Sequence, residues 1–542
     1  MNKTIIIIII AVFFFTAIES QNLNIQGEIE SSILLSSESP APLWFTARQE
    51  GRWGLKNETQ FLTFAQVSLN KRINKWNFFA DIELDYNTGI GKCYFHQGYL
   101  KIDWSFLNLT AGRHLFSPIF NKNYSGSGSY LYGDNYLPLD RITCGIPEFT
   151  TVPFTFSLLE IKGGLTHGRL DDTNGKFTTL TEINYFHKQM LLHEKYAYGR
   201  INLGKCKVYG GLNHSVLMGG YNGYGKKIPV DYWNSFFAKA SSKIGGGDST
   251  NAAGAHMGLF DFGINAFLDF ADIQFYFQKP FGDGSGMNIA NPYKFSRRNR
   301  DQIVGLNFNF HKIKWLKNLT VEWLNTKYQS GKGTPDPCIN GTVYLFKDLN
   351  SMNSDELDKF MNDLGVEGNG FIFSDVWKYI ENEFNHGYSF GGRDGYMNNG
   401  VYPGGWANYG MIMGSPLNLT RDQLLHLNAN IGTHNRNYII NDRFRAFHIG
   451  AKGEITNNLF WKMMMTTSVN YGSYYNEYPG RYTWERTENY FFDGGIKQYY
   501  SMIGFEWIPK KLSKFTIKCD LALDNGEIFN TFAAKFGVKW TI

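Results

Sequence analysis

The chain has no C-x-x-C pair, and its five cysteines (Cys93, Cys144, Cys206, Cys338 and Cys519) are odd in number. Neither a disulfide framework nor a thiolate zinc site is expected from that set. Cys93 and Cys519 lie in strand-like stretches and read as small apolar fillers. Proline is scarce, at 15 of 542 residues, and no Pro-rich linker, charge run or low-complexity tract divides the chain. No repeat of solenoid or propeller spacing is present. Charged residues make up only 19%, below the roughly 25% of an ordinary soluble domain. The net charge of +5 is spread thinly and implies no nucleic-acid partner.

A membrane-length apolar run is missing as well. The longest, from Ile5 to Ala17, is shorter than the ~20 residues a spanning helix needs. With Lys3 before it and Ser20-Gln21 after it, residues 1–20 read as a cleavable secretory signal peptide. No cysteine follows the run, so no lipid anchor is expected there.

Catalytic signatures are absent or broken. Gly199 to Lys205 matches most of a phosphate-binding loop, but Cys206 replaces the Ser/Thr and no helix follows. Gly220 to Lys226 fails in the same way at Lys227. His193-Glu194 has Ala197 where a second histidine would complete a metalloprotease pattern, and no G-x-S-x-G elbow occurs. The chain reads as non-enzymatic, with no metal and no cofactor.

What is abundant is aromatic residues, at 17%, together with 58 glycines. Both suit a transmembrane barrel with aromatic girdles. The last eleven residues alternate strictly. Phe532, Ala534, Phe536, Val538, Trp540 and Ile542 share one face, and Lys535, Lys539 and Thr541 share the other. Near the front, Trp76, Phe78, Ala80, Ile82, Leu84 and Tyr86 oppose Asn77, Asp81, Glu83 and Asp85. Three carboxylates on one strand face would each cost roughly 2–4 kcal/mol in mid-membrane, so that face belongs to a lumen.

Extending this rhythm gives an all-β transmembrane antiparallel barrel of about eighteen strands. They fall at 60–70, 75–86, 92–103, 106–116, 154–168, 190–201, 205–213, 258–268, 272–278, 302–311, 317–327, 405–413, 423–433, 443–455, 459–472, 496–507, 514–524 and 530–542. Short connections collect on the periplasmic side and long ones outside, as this fold prefers. Residues 21–58 and 117–153 break that order and are expected to plug the periplasmic mouth, within a barrel domain of 59–542. The long extracellular loop 328–404 carries two helical stretches. Ser354 would cap one bearing Leu357, Phe360, Met361 and Leu364; Ser374 would cap one bearing Val376, Tyr379 and Ile380. A third candidate spans Val230 to Lys243.

Two loop segments mix aromatic rings with forked polar groups, the combination a sugar needs for stacking and hydroxyl recognition. The first holds Arg393, Asp394, Tyr396, Asn398, Asn399 and Trp406. The second holds Arg481, Tyr482 and Trp484. In the bland reading these rings are interface girdle and Arg393–Asp394 is a structural ion pair. The alternative to glycan binding is a substrate-permeable channel lined by Asp81, Glu83 and Asp85.

Several blocks in order resemble the Wzi capsule-assembly family, in the form common in Bacteroidetes. They are Pro42 to Gly54, Gly145-Ile-Pro-Glu148, Lys162 to Gly168, Gly254 to Gly258, Gly392 to Asn399 and Arg443 to Gly450. Met397 and Ala255 depart from the family pattern. The resemblance implies an outer-membrane lectin-like barrel that holds capsular or exopolysaccharide at the cell surface. Implied partners are outer-membrane lipid and lipopolysaccharide and the polysaccharide export machinery, and the barrel is expected to be a monomer.

Overall fold

The computed structural model describes residues 23–542 except 55–57, 91, 119–124, 171–186, 245–251, 283–300, 330–337, 340–341, 344–350, 384–394, 426, 428, 433–436 and 478–486. The signal peptide expected at residues 1–20 lies outside the described residues.

Eighteen strands form one antiparallel sheet that closes on itself. In chain order they are β1 (Leu23–Ser36), β2 (Thr59–Ile73), β3 (Trp76–Asn87), β4 (Lys92–Trp104), β5 (Leu107–His114), β6 (Leu139–Thr151), β7 (Leu159–Leu170), β8 (Met190–Asn202) and β9 (Cys206–Met218). The second half comprises β10 (Ala255–Phe267), β11 (Ala271–Phe281), β12 (Gln302–Phe310), β13 (Asn318–Asn325), β14 (Phe444–Thr456), β15 (Leu459–Asn470), β16 (Ile496–Trp507), β17 (Phe515–Gly526) and β18 (Thr531–Thr541). Each pairs with its sequence neighbour. β1 also pairs with β18, from Glu28↔Thr541 to Ser36↔Ala533, which seals the barrel. Across that seam, Lys518 donates to Glu30 at 2.7 Å and Lys539 to Glu28 at 3.5 Å. Closure gives each of the eighteen barrel strands a partner on both sides.

The two-residue alternation sets the two surfaces. Trp76, Leu84 and Tyr86 are exposed on the outer wall, whereas Asp81, Glu83 and Asp85 are buried in the lumen. The closing strand repeats the pattern, with Phe532, Phe536 and Val538 outside and Ala533 and Lys535 inside. An apolar outer wall around a polar interior is the arrangement of an outer-membrane barrel.

Sixteen strands match the sequence reading, and two pairs of errors cancel in the count. Residues 405–413 and 423–433 are not barrel strands. Ala407–Asn408 and Met411–Ile412 form a two-residue hairpin, and Arg421–Leu424 is a helical turn. Trp406, Ala407, Met411 and Met413 are buried on both sides, so their apolar pattern comes from packing inside the barrel and not from lipid. The strands that take their place are β1 and β6. Pro147 interrupts β6 and its pairing with β7 skips between Ile146 and Thr150, the signature of a bulge that hides a strand from sequence.

With β1 and β6 in place every connection longer than seven residues leaves the same end, which also carries the short turns 88–91 and 527–530. Connections 74–75, 105–106, 152–158, 203–205, 268–270, 311–317, 457–458 and 508–514 share one end with Leu23 and Thr541. Segments 37–58, 115–138, 219–254, 326–443 and 471–495 all leave the opposite end. The expectation that 21–58 and 117–153 plug the periplasmic mouth is therefore corrected. Leu23–Ser36 is wall, and the remaining plug segments enter from the long-loop end, which in this fold faces outward.

Helix α1 (Leu43–Thr46) is part of that plug, and α2 (Tyr232–Phe236) lies in the expected Val230–Lys243 stretch. Helices α3 (Ser354–Asp363) and α4 (Phe373–Glu383) stand where predicted, but Ser374 is the second residue of α4 and not its cap. The cap of α3 is Asn353, one residue before Ser354, in a reciprocal box with Glu356. Leu357, Phe360, Met361 and Val376 form a small core of their own between α3 and α4.

One patch of outer wall is not left to lipid. His193 and Lys195 of β8, His214 of β9 and His256 of β10 face outward, and α2 folds over part of them. Lys195 donates to the Phe236 carbonyl, and its ammonium stands 3.8 Å from the Phe236 ring centre. His193 packs on Phe236 at 4.7 Å, and Tyr232 OH meets His167 Nε2 at 2.7 Å. The loop shields polar groups that lipid would penalise.

Candidate lumenal site

An eighteen-stranded barrel is wide enough to hold a water-filled channel. Here the long-loop end is filled instead. Trp44, Phe45, Trp53, Tyr130, Leu131, Tyr132, Tyr136, Tyr402, Trp406 and Met413 join one apolar core with inward wall residues such as Leu34, Leu192 and Leu259. Polar contacts fix the plug to the wall and its segments to one another. Leu43 N–H donates to Asp524 Oδ2 at 2.8 Å, Ser127 N–H to Glu322 Oε2 at 2.6 Å and Arg48 Nη1 to the Gly126 carbonyl at 2.5 Å. Arg443, fully buried, donates Nη1 to Glu477 at 2.9 Å and Nε to the Lys327 carbonyl at 3.2 Å. Burial pushes the Tyr136 phenol up to about 12, and it pushes the Asp442 carboxyl up to about 7 against the pull of Arg443.

Below the plug, toward the short-turn end, lies a cavity of about 710 Å³. Its position is fixed by its lining, which includes Gln26 and Glu28 at the start of β1 and Thr541 and Ile542 at the end of the chain. The wall contributes Gln66 from β2, Phe79 and Asp81 from β3, and Gln97, Tyr99 and Lys101 from β4. Gln66 and Gln97 each donate an amide N–H to a different oxygen of Asp81, both at 2.8 Å. The Phe79 and Tyr99 rings lie 5.8 Å apart, and Tyr99 meets His114 at 5.4 Å. A volume of this size suits a small organic ligand. Two aromatic rings beside forked amides and a carboxylate suit an oligosaccharide in particular.

The inner face of β3 continues from the cavity to the plug. Glu83 and Asp85, two and four residues beyond Asp81, are fully buried. Arg52, from the block Pro42 to Gly54, donates Nε and Nη2 to Glu83 Oε1 at 2.9 and 2.6 Å. Its guanidinium also pairs with Glu50 at 3.0 Å and stands 3.7 Å from Asp85. These carboxylates hold the Arg52 charge firmly, raising its affinity for the proton above the usual guanidinium range.

The four described sugar-contact candidates from sequence, Tyr396, Asn398, Asn399 and Trp406, do not present one open surface. Tyr396 is 1% exposed, donates its hydroxyl to Asp301 at 2.7 Å and receives Tyr130 edge-on. Trp406 is 1% exposed and donates Nε1 to the Leu131 carbonyl at 2.8 Å. Both are plug core, and neither offers a ring face for stacking. Asn398 holds the chain together by donating to the Ile439 carbonyl at 2.8 Å. Asn399 is half-buried and accepts from Val401 N–H at 2.8 Å. Arg393, Asp394, Arg481, Tyr482 and Trp484 lie outside the described residues. The pore candidates Asp81, Glu83 and Asp85 do face the lumen as expected, but only Asp81 lines the cavity. Sequence reasoning missed Arg52, His96, Gln66, Gln97 and Tyr99, whose roles depend on strand register.

No protein-family model matches the chain, and no curated protein matches its sequence. Among solved structures, the chain is similar to OccK5 (OpdH) of Pseudomonas aeruginosa at 7% identity and TM-score 0.45, over 96% of this chain and 98% of that one. It is similar to OccK3 (OpdO) of the same organism at 9% and 0.46, over 98% of both chains. It is also similar to Wzi of Escherichia coli, an outer-membrane carbohydrate-binding β-barrel involved in group 1 capsule assembly, at 9% and 0.48, over 94% of this chain and 83% of that one.

Proposed function

We propose that this protein resides in the outer membrane as a non-enzymatic, plugged barrel that binds surface polysaccharide and helps assemble or retain a capsule. The observation that carries this reading is the filled lumen. A packed plug of aromatic and aliphatic side chains stands where a transport pore would run, and a polar, aromatic-lined cavity remains beside it. The cavity pairs the Phe79 and Tyr99 rings with Gln66, Gln97 and Asp81, chemistry matched to sugar C–H faces and hydroxyls. The sequence blocks that resemble the Wzi family support the same reading. Under it the cavity holds one stretch of glycan, and the sequence candidates Arg393, Asp394, Arg481, Tyr482 and Trp484 hold another.

The test is binding of the refolded full-length barrel to an array of capsular and exopolysaccharide fragments. Phe79→Ala with Tyr99→Ala should weaken binding if the cavity is the contact. Tyr482→Ala with Trp484→Ala should weaken it if the sequence candidates are. Wild-type protein that binds no glycan on the array defeats the proposal. The second reading, a substrate-permeable channel, draws on the polar cavity and requires the plug to move aside.

A further inference from the structure

We propose that Glu83, Asp85 and His96 form a binding site for a divalent transition-metal ion, of the zinc or manganese kind, between the barrel wall and the plug. One ligand atom from each of the three lies within 4.8 Å of the other two. All three side chains are buried, none more than 1% exposed.

The local backbone aims His96 at the carboxylates. In the pairing of β3 with β4, Glu83 faces Gln97 and Leu84 faces Phe95, so His96 is the extra residue of a bulge. Bulges of this kind redirect a single side chain and recur beside functional sites. His96 turns into the lumen, with Nδ1 3.2 Å from Asp85 Oδ2 and Nε2 3.8 Å from Glu50 Oε2. Yet neither ring nitrogen makes a hydrogen bond of acceptable geometry. A buried imidazole with both nitrogens unsatisfied is costly unless something occupies it.

The carboxylates are left open in a complementary way. Arg52 takes Glu83 Oε1 with two N–H groups, and Tyr94 OH donates to Asp85 Oδ2 at 3.2 Å. Glu83 Oε2 and Asp85 Oδ1 are buried without a hydrogen-bond partner. The atoms left over are thus two carboxylate oxygens and both imidazole nitrogens, of which one can ligate an ion. Arg52 and Tyr94 act on the opposite oxygens, as outer-sphere groups do when they orient carboxylate ligands. An imidazole in the set favours zinc or iron(II) over calcium and magnesium, which prefer oxygen alone, and the two carboxylates suit manganese. Asp81, which lines the cavity, stands two residues before Glu83 on the same strand face.

The experiment uses the full-length barrel, refolded in detergent, stripped with chelator and dialysed against zinc chloride or manganese chloride. Metal content is read by mass spectrometry, and affinity by titration calorimetry. Wild type should retain roughly one ion per chain, and Asp85→Asn and His96→Asn should each weaken binding at least tenfold. Glu28→Gln, at the far end of the cavity, should leave it unchanged. X-ray absorption of the zinc form should show a mixed nitrogen and oxygen shell with one imidazole. Wild type that retains no ion after dialysis overturns the proposal, whether or not the variants fold. So does an ion that Asp85→Asn and His96→Asn still hold with wild-type affinity.

Discussion

Replacing Trp406 by alanine separates a plug residue from a sugar-stacking residue. The side chain is 1% exposed and its indole N–H satisfies the Leu131 carbonyl at 2.8 Å. Truncating a buried aromatic to alanine costs about 3–5 kcal/mol. Leaving the Leu131 carbonyl without a partner adds about 1–3 kcal/mol where water cannot reach it. The loss falls on segments 125–138 and 395–443, because the wall is held by its own strand ladders, closed at β1–β18. At about 1.4 kcal/mol per tenfold, a 4 kcal/mol loss raises the population of the open plug roughly 10³-fold. Native-state hydrogen exchange of the plug amides should accelerate by at least 10²-fold, while heat-modifiable migration of the barrel on gels stays normal. If plug exchange changes less than several-fold and glycan binding alone is lost, the packing argument is refuted and Trp406 is a stacking residue.

Three further outcomes follow from named contacts. Burial raises the Asp442 carboxyl from 3.8 to about 7 in the folded plug, so the folded state binds the extra proton between those values. Plug stability should be fullest below about pH 4, decline as pH rises toward about 7, and level off above; Asp442→Asn should flatten the slope in thermal melts followed by tryptophan fluorescence. A Cβ on Gly450 would lie 1.7 Å from the Ser125 carbonyl oxygen, which His448 Nε2 meets at 2.9 Å. Gly450→Ala should therefore push segment 125–138 off the wall and expose it to limited proteolysis, with the barrel intact. Tyr232→Ser with Phe236→Ser should uncover His193 and Lys195, lowering urea stability in liposomes by about 1–3 kcal/mol, between the interfacial and mid-membrane costs of a cation. Adding Lys195→Met to that pair should recover part of the loss.

How much of this was legible in the sequence divides along physical lines. The outer wall was, because lipid on one side and polar lumen on the other impose a strict two-residue rhythm, as in β3 and β18. The helices α3 and α4 were legible from their apolar spacing. The plug was not. Residues around Trp406 to Met413 are buried on every side, so no periodicity tells which neighbour they meet, and they imitate a strand. Glu83 and Asp85 could be assigned to the lumen from alternation alone. Their partners Arg52 and His96 could not, since one arrives in a loop from the long-loop end and the other through a bulge that shifts the register of β4. The rings of Tyr396 and Trp406 look the same in sequence whether they line a surface or a core, and only burial separates the two.

Single-channel recording of the wild-type barrel in a planar lipid bilayer addresses the filled lumen most directly. Insertion with little or no steady conductance is expected, and conductance should appear when Trp406→Ala or Gly450→Ala loosens the plug. A large, stable ohmic current through the unmodified protein would contradict a closed lumen and return the chain to the transport reading.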